Sequence, residues 1–128
     1  AADRWTVWSL FDRGPRQKWS MGRATLLGDA AHPVLPYLAQ GAALAIEDAI
    51  ILARLLARTP DQCAQAFQTY EALRKPRTTR VQSEARRNGS IYHLPWPLSD
   101  ARDYVIRRTQ FETRYDWLYR YQADTIDI

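Results

Sequence analysis

The sequence holds one cysteine, two histidines and five glycines, and each scarcity removes a class of protein. A lone Cys63 forms no internal disulfide, so a stapled secreted domain is excluded and a reducing, cytoplasmic setting is expected. Its place among Ala64, Ala66 and Phe67 predicts a small core residue rather than a reactive thiol. His32 and His93 lie far apart in the chain, which gives a protein-ligated metal site no support. No two of the glycines, Gly14, Gly22, Gly28, Gly41 and Gly89, are spaced as G-x-G, so the chain carries neither the dinucleotide fingerprint nor a phosphate-cradling glycine loop. G-x-S-x-G and Cys-x-x-Cys are also missing, and the usual hydrolase and thiol-redox readings fall with them. No apolar run reaches the roughly 20 residues of a membrane helix, and the opening AADRW has no signal-peptide pattern, so a soluble protein with no membrane partner is expected.

What is present suits one ordinary domain: 128 residues of which 46% are hydrophobic. The formal charge of +4 comes from 18 Lys and Arg against 14 Asp and Glu. Much of the excess sits in Arg74, Lys75, Arg77, Arg80, Arg86 and Arg87. Glu71 and Glu84 among them predict a solvated helical face, leaving nucleic-acid binding through residues 74–87 a minor alternative.

Along the chain, Arg4–Phe11 is rich in aromatic and β-branched residues and is followed by Asp12-Arg13-Gly14-Pro15, which predicts a strand and a turn. Ala24–Leu27 reads as a second short strand ended by Gly28. Residues 42–58 form a helix apolar on most sides, which should be buried on most sides. Thr59-Pro60 reads as the start of the next helix, with a stripe of Cys63, Phe67, Tyr70 and Leu73. Pro76 should kink or divide that helix, and Asn88-Gly89 should end it. Leu94–Pro97 is an extended connector to Ser99, a fitting N-cap, and a last helix is expected over about residues 100–121 with Tyr104, Phe111, Tyr115 and Leu118 on one face. Two short strands and two amphipathic helices do not cover the apolar helix, so something else should pack there.

The most informative segment is 24–49, ATLLGDAAHPVLPYLAQGAALAIEDA. A strand runs into Gly28-Asp29, a Pro-bearing loop turns back, and a helix starts at Gly41 with its free N–H groups aimed at an electron-rich ligand. Read by themselves, Gly28-Asp29 make a turn and His32 before Pro33 is a hydrogen-bonded structural residue. Glu47 and Asp48 point about 100° apart around the helix, which suits structural roles better than a shared acid–base dyad. Tyr37 is either a packing anchor or a substrate-side residue, and the Tyr115–Tyr121 cluster is core or interface.

The ordered set Leu26-Leu27-Gly28-Asp29-Ala30-Ala31-His32-Pro33, Pro36, Ala39-Gln40-Gly41-Ala42 and Ala45-Ile46-Glu47-Asp48-Ala49 resembles the second FAD-binding motif of the single-component flavoprotein aromatic hydroxylases, those similar to salicylate and hydroxybenzoate hydroxylases. The resemblance implies an α+β, predominantly helical piece of that fold: residues 1–23 as the end of the substrate-domain sheet and its return strand, 24–58 as the FAD motif and 59–128 as C-terminal helices. It implies a cytoplasmic FAD enzyme that hydroxylates an aromatic small molecule with NAD(P)H and O2. The Asp29 carboxylate would accept from a ribityl hydroxyl. Gly28 would let the cofactor approach, and the backbone around Gln40, Gly41 and Ala42 would meet the flavin pyrimidine edge. Pro36 and Tyr37 are the substrate-side candidates. No catalytic acid or base is identified. With no G-x-G-x-x-G, the Rossmann part and the ADP half of the site are not here. They belong to the missing N-terminal portion of the same protein or to a split partner, and a homodimer is open. A different class of function, a non-catalytic helical interaction module derived from such an enzyme, is the alternative.

Overall fold

The computed structural model describes residues 4–108 and 112–128, except for the side chains of 112 and 113. Two antiparallel two-residue strands, β1 (Ser20–Met21) and β2 (Ala24–Thr25), pair Ser20 with Thr25 and Met21 with Ala24. Gly22, at φ +58°, makes the turn between them. Among the described residues four α-helices follow: α1 (Gly41–Arg58), α2 (Cys63–Tyr92), α3 (Leu98–Arg108) and the single turn α4 (Asp116–Tyr119). The architecture is the expected one, mostly helical with two short strands and three main helices.

The pairing of α1 and α2 makes the core. Leu44, Asp48, Ile51 and Leu55 recur at helical spacing on α1 and are buried against Ala66, Tyr70, Arg74, Val81 and Ala85 of α2. One cluster gathers Trp19, Ala31, Ile51, Leu55, Ala66, Tyr70 and Ala123; a second gathers Leu38, Leu44, Val81, Ala85 and Leu118. Full burial of a side chain such as Ile51 contributes about 1.5–3 kcal/mol. The hairpin is fastened to α2 by Glu71, whose Oε2 accepts from the backbone N–H groups of Trp19 and Ser20 at 3.0 Å each. Burial works to raise the Glu71 pKa, but the ammonium of Lys75 and these backbone donors outweigh it and hold the carboxyl below its ordinary value.

Several local expectations are corrected. Residues 4–11 form no strand: they meet no partner strand among the described residues, and Trp5, Val7, Trp8 and Phe11 are exposed. β2 is shorter than expected and stops at Thr25, although the Leu26 N–H still donates to the Trp19 carbonyl at 3.1 Å. Thr59 closes α1 rather than opening α2, because its hydroxyl donates back to the carbonyl of Leu55 at 2.9 Å. Cys63 is half-buried at the first turn of α2 rather than in the core.

Pro76 neither divides nor ends α2. It lies on the exposed side together with Ala72, whose carbonyl it leaves without a donor, and the Tyr70–Arg74–Thr78 face stays packed on α1. Gly89 does not end the helix either; a Cβ there would sit 2.6 Å from Cε2 of Tyr37, so the glycine makes room for a ring. The last predicted helix is broken into α3 and α4, with Tyr115 in a 3-10 turn between them, Leu118 in α4, and Phe111 outside the described residues. α3 starts at Leu98, one residue before the expected cap Ser99. The burial of α1 is one-sided: Ala42, Ile46, Ala49, Ala53 and Ala57 form an exposed apolar stripe opposite the core.

Candidate flavin site

The chain leaves β2 through Leu26 and Leu27 and turns sharply at Gly28, where φ is +58° and an added Cβ would lie 3.2 Å from the Cβ of Ala45 on α1. Only glycine meets both demands at once. The turn that follows, a 3-10 helix over Gly28–Ala30, lifts Asp29 to the surface, so the carboxylate is carried by a turn rather than by a strand end. His32 and Pro33 lead into a second 3-10 turn, Pro36–Leu38. Ala39 then adopts the left-handed conformation at φ 52°, and Gln40 enters α1.

These bends bring Asp29 back to the start of α1. Its Oδ1 lies 3.9 Å from the position of a Cβ on Gly41, and its carboxylate accepts no hydrogen bond from any described residue. No side chain caps the helix start. A free carboxylate and a set of outward N–H groups thus stand side by side, one able to accept from hydroxyls and the other to stabilise negative charge. Gln40 is buried, Gly41 half-buried, and Ala42 and Pro36 exposed. Tyr37 is a packing residue in this geometry, its ring resting on Gly89 with centroids 6.0 Å from Tyr92 and 5.7 Å from His93.

A buried ionic network lies directly under the turn. Asp48 is fully buried and accepts three hydrogen bonds: Gly28 N–H at 3.0 Å and His32 Nε2–H at 2.6 Å on Oδ2, and Arg74 Nε–H at 2.6 Å on Oδ1. Because a carboxylate only accepts, His32 carries its hydrogen on Nε2; its buried Nδ1 has no partner among the described residues. Burial works to raise the Asp48 pKa, yet the His32 and Arg74 bonds prevail and hold it below its ordinary value of 3.8. Arg74, wholly buried, also donates to the Tyr121 hydroxyl at 3.0 Å and to Glu47 at 2.7 Å. Glu47 in turn takes both Nε and NH2 of Arg77, whose guanidinium lies 3.7 Å above the Tyr121 ring. The basic stretch is therefore only in part the solvated face expected: Arg74 and Arg77 are spent on Asp48 and Glu47, whereas Arg80, over the Trp117 ring at 3.7 Å, and Arg87 are exposed. His32 has the structural role expected of it, and Glu47 and Asp48 serve as separate anchors for α2.

The fold and this site define an FAD binding domain: residues 3–85 match the family of that description, and the chain belongs to it. Its relatives are aromatic hydroxylases. It is similar to the 3-hydroxybenzoate 6-hydroxylase of Klebsiella oxytoca, with 41% identity over 94% of this chain and 31% of that enzyme. With the 3-amino-4-hydroxybenzoate 2-monooxygenase of Streptomyces cremeus it shares 46% identity over 89% of this chain and 29% of the other. Among solved structures, a salicylate hydroxylase substrate complex superposes with a TM-score of 0.70 at 27% identity, over 91% of this chain and 29% of that one. The chain thus spans about 30% of the length of these relatives.

The residues at the turn fit the ribityl chain and ring edge of FAD. Asp29 is an unengaged acceptor, Gly41 offers no Cβ to an approaching ligand, and the helix start offers donors. Sequence reasoning missed Asp48 and Arg74 as supports of this turn. A signal was present in the alignment of Asp48 with the Leu44–Ile51–Leu55 stripe, which puts a carboxylate on the buried face of α1 and demands a cationic partner.

Proposed function

We propose that this chain supplies the ribityl and isoalloxazine side of the FAD site in a flavin-dependent monooxygenase that hydroxylates a phenolic or carboxylated aromatic compound with NAD(P)H and O2. The observation that carries this reading is the unpartnered Asp29 carboxylate beside the uncapped start of α1. FAD, when bound, supplies the oxygen-activating redox chemistry; the protein supplies binding, orientation and exclusion of water. Asp29 accepts from ribityl hydroxyls. The backbone N–H groups at Gln40, Gly41 and Ala42 hold the electron-rich ring edge, worth about 0.3–1 kcal/mol for a charge at an exposed helix start and up to about 2 when partly buried. Pro36 borders the substrate side, and Tyr37 stiffens that loop by its seat on Gly89.

The remaining part of the site belongs to the rest of the same cytoplasmic protein or to a separate subunit, which packs on the Ala42–Ile46–Ala49–Ala53–Ala57 stripe and on residues 4–11. Support for this comes from their apolar exposure, which includes Trp5 at 88% and Val7 at 94%. The test is the complete protein that contains this segment. It is expected to be yellow as purified and to oxidise NAD(P)H faster when a phenolic acid is present. Asp29→Ala should weaken its FAD affinity by about tenfold to a hundredfold, the cost of one charge-assisted hydrogen bond of about 1.5–3 kcal/mol, and so lower the FAD it retains. A colourless parent, or full FAD content after the substitution, overturns the assignment.

A further inference from the structure

We infer that Asp48 is a positioning residue for the flavin site, a clamp that grips both ends of the turn bearing Asp29. The inference rests on the FAD reading above. Oδ2 takes the backbone N–H of Gly28, the residue before Asp29, and the imidazole of His32, three residues after it. Within the turn, the N–H groups of Ala31 and His32 donate to the Gly28 carbonyl at 2.9 Å each, which closes it on itself; Asp29 and Ala30 are exposed, and their carbonyls are held from outside by Arg13, so Asp48 is the side chain that ties the turn to α1 from beneath. Asp48 itself is fixed from the other side by Arg74, which is tied to Glu47, the Leu44 carbonyl and Tyr121. The orientation of Asp29 is thereby set from beneath by a carboxylate that never reaches the cofactor.

The chemistry of the clamp makes it sensitive to a single atom. All three partners of Asp48 are donors, and both of its oxygens are occupied. A carboxamide at this position must turn its NH2 toward at least one of those donors, so Asp48→Asn keeps the volume and breaks the clamp. At His32, glutamine can place an amide N–H where Nε2–H stands, whereas alanine cannot.

The experiment uses the complete protein, stripped of flavin and titrated with FAD by quenching of flavin fluorescence. Asp48→Asn is expected to weaken FAD binding about tenfold or more, the loss of one buried bond to a charged group. In an Asp29→Ala background the same change should weaken it by less than about threefold, because the turn no longer carries the contact it positions. A merely structural role predicts equal losses in both backgrounds. His32→Ala should weaken binding about fivefold and His32→Gln should restore it to within about twofold of the parent, a partial loss fitting removal of one of the clamp's bonds. Parent-like affinity in a folded Asp48→Asn protein, or equal losses in the two backgrounds, overturns the clamp and leaves the FAD reading intact. If Asp48→Asn does not fold, the His32 pair decides: Ala and Gln alike in affinity overturn the clamp. A parent that binds no FAD overturns both.

Discussion

Asp48 shows how far one buried carboxylate can organise its neighbourhood, and its titration gives a sign that can be checked. Its pKa is depressed in the folded chain, so the folded state resists a proton that the unfolded chain takes up near the ordinary value of 3.8. The stability this supplies is present above that pH and is lost as pH falls through the lower folded value. Urea unfolding of the complete protein followed from pH 6 down to pH 2 should show a steep acid limb below about pH 4, and Asp48→Asn should flatten it. A second expectation concerns Ala39, held at φ 52° where only glycine is at ease. Ala39→Gly should raise stability by about 1 kcal/mol, read as a shift of the denaturation midpoint. At this scale the sequence singled out Asp29 as a candidate, because its neighbours at fixed spacings resemble a known motif. It was silent about Arg74, because the composition of residues 74–87 looks the same whether an arginine faces water or lies buried on two carboxylates.

At the level of elements, α2 carries the least expected feature, a continuous helix through Pro76 and Gly89. Local propensity assigns breaks there, and tertiary packing overrides it: one face of α2 is buried along its length, from Ala66 through Arg74 to Asn88. Gly89→Ala separates the two influences. Helix propensity alone favours alanine by about 0.8–1 kcal/mol. The new Cβ, however, would meet the Tyr37 ring at 2.6 Å, and overpacking of this kind costs about 1–3 kcal/mol. Net destabilisation by up to about 2 kcal/mol is expected, with recovery when Tyr37→Leu is added, since the smaller side chain clears the space. Thermal unfolding of the two variants checks it. α1 was legible from its apolar run, but which side would be covered was not, because its small residues surround most of the axis. The Arg4–Phe11 segment had strand composition and lacked a neighbour, and no pattern within one segment announces whether a neighbour exists.

For the molecule as a whole, the distribution of apolar surface is the notable property. Trp5, Val7, Trp8 and Phe11 are each more than 80% exposed, and Ile46 stands out at 62% from α1. Contiguous exposure of this kind marks surface meant to be covered. The 128 residues alone are therefore expected to bind a hydrophobic dye or to self-associate in sedimentation experiments; a monodisperse monomer with little dye binding would show that the exposed stripe and arm are not covered surfaces. Among the described residues no helix is long and apolar enough to cross a membrane. Within residues 74–87, Arg74, Arg77 and Arg86 are each committed to carboxylates.

The seat of Tyr37 on Gly89 has a mechanical consequence. Because that ring joins the segment after Pro36 to the last turns of α2, neither can shift without the other giving way at Gly89 and Tyr92. Substitutions at His93 or Tyr92 would thus be felt through that ring in the loop that Pro36 opens.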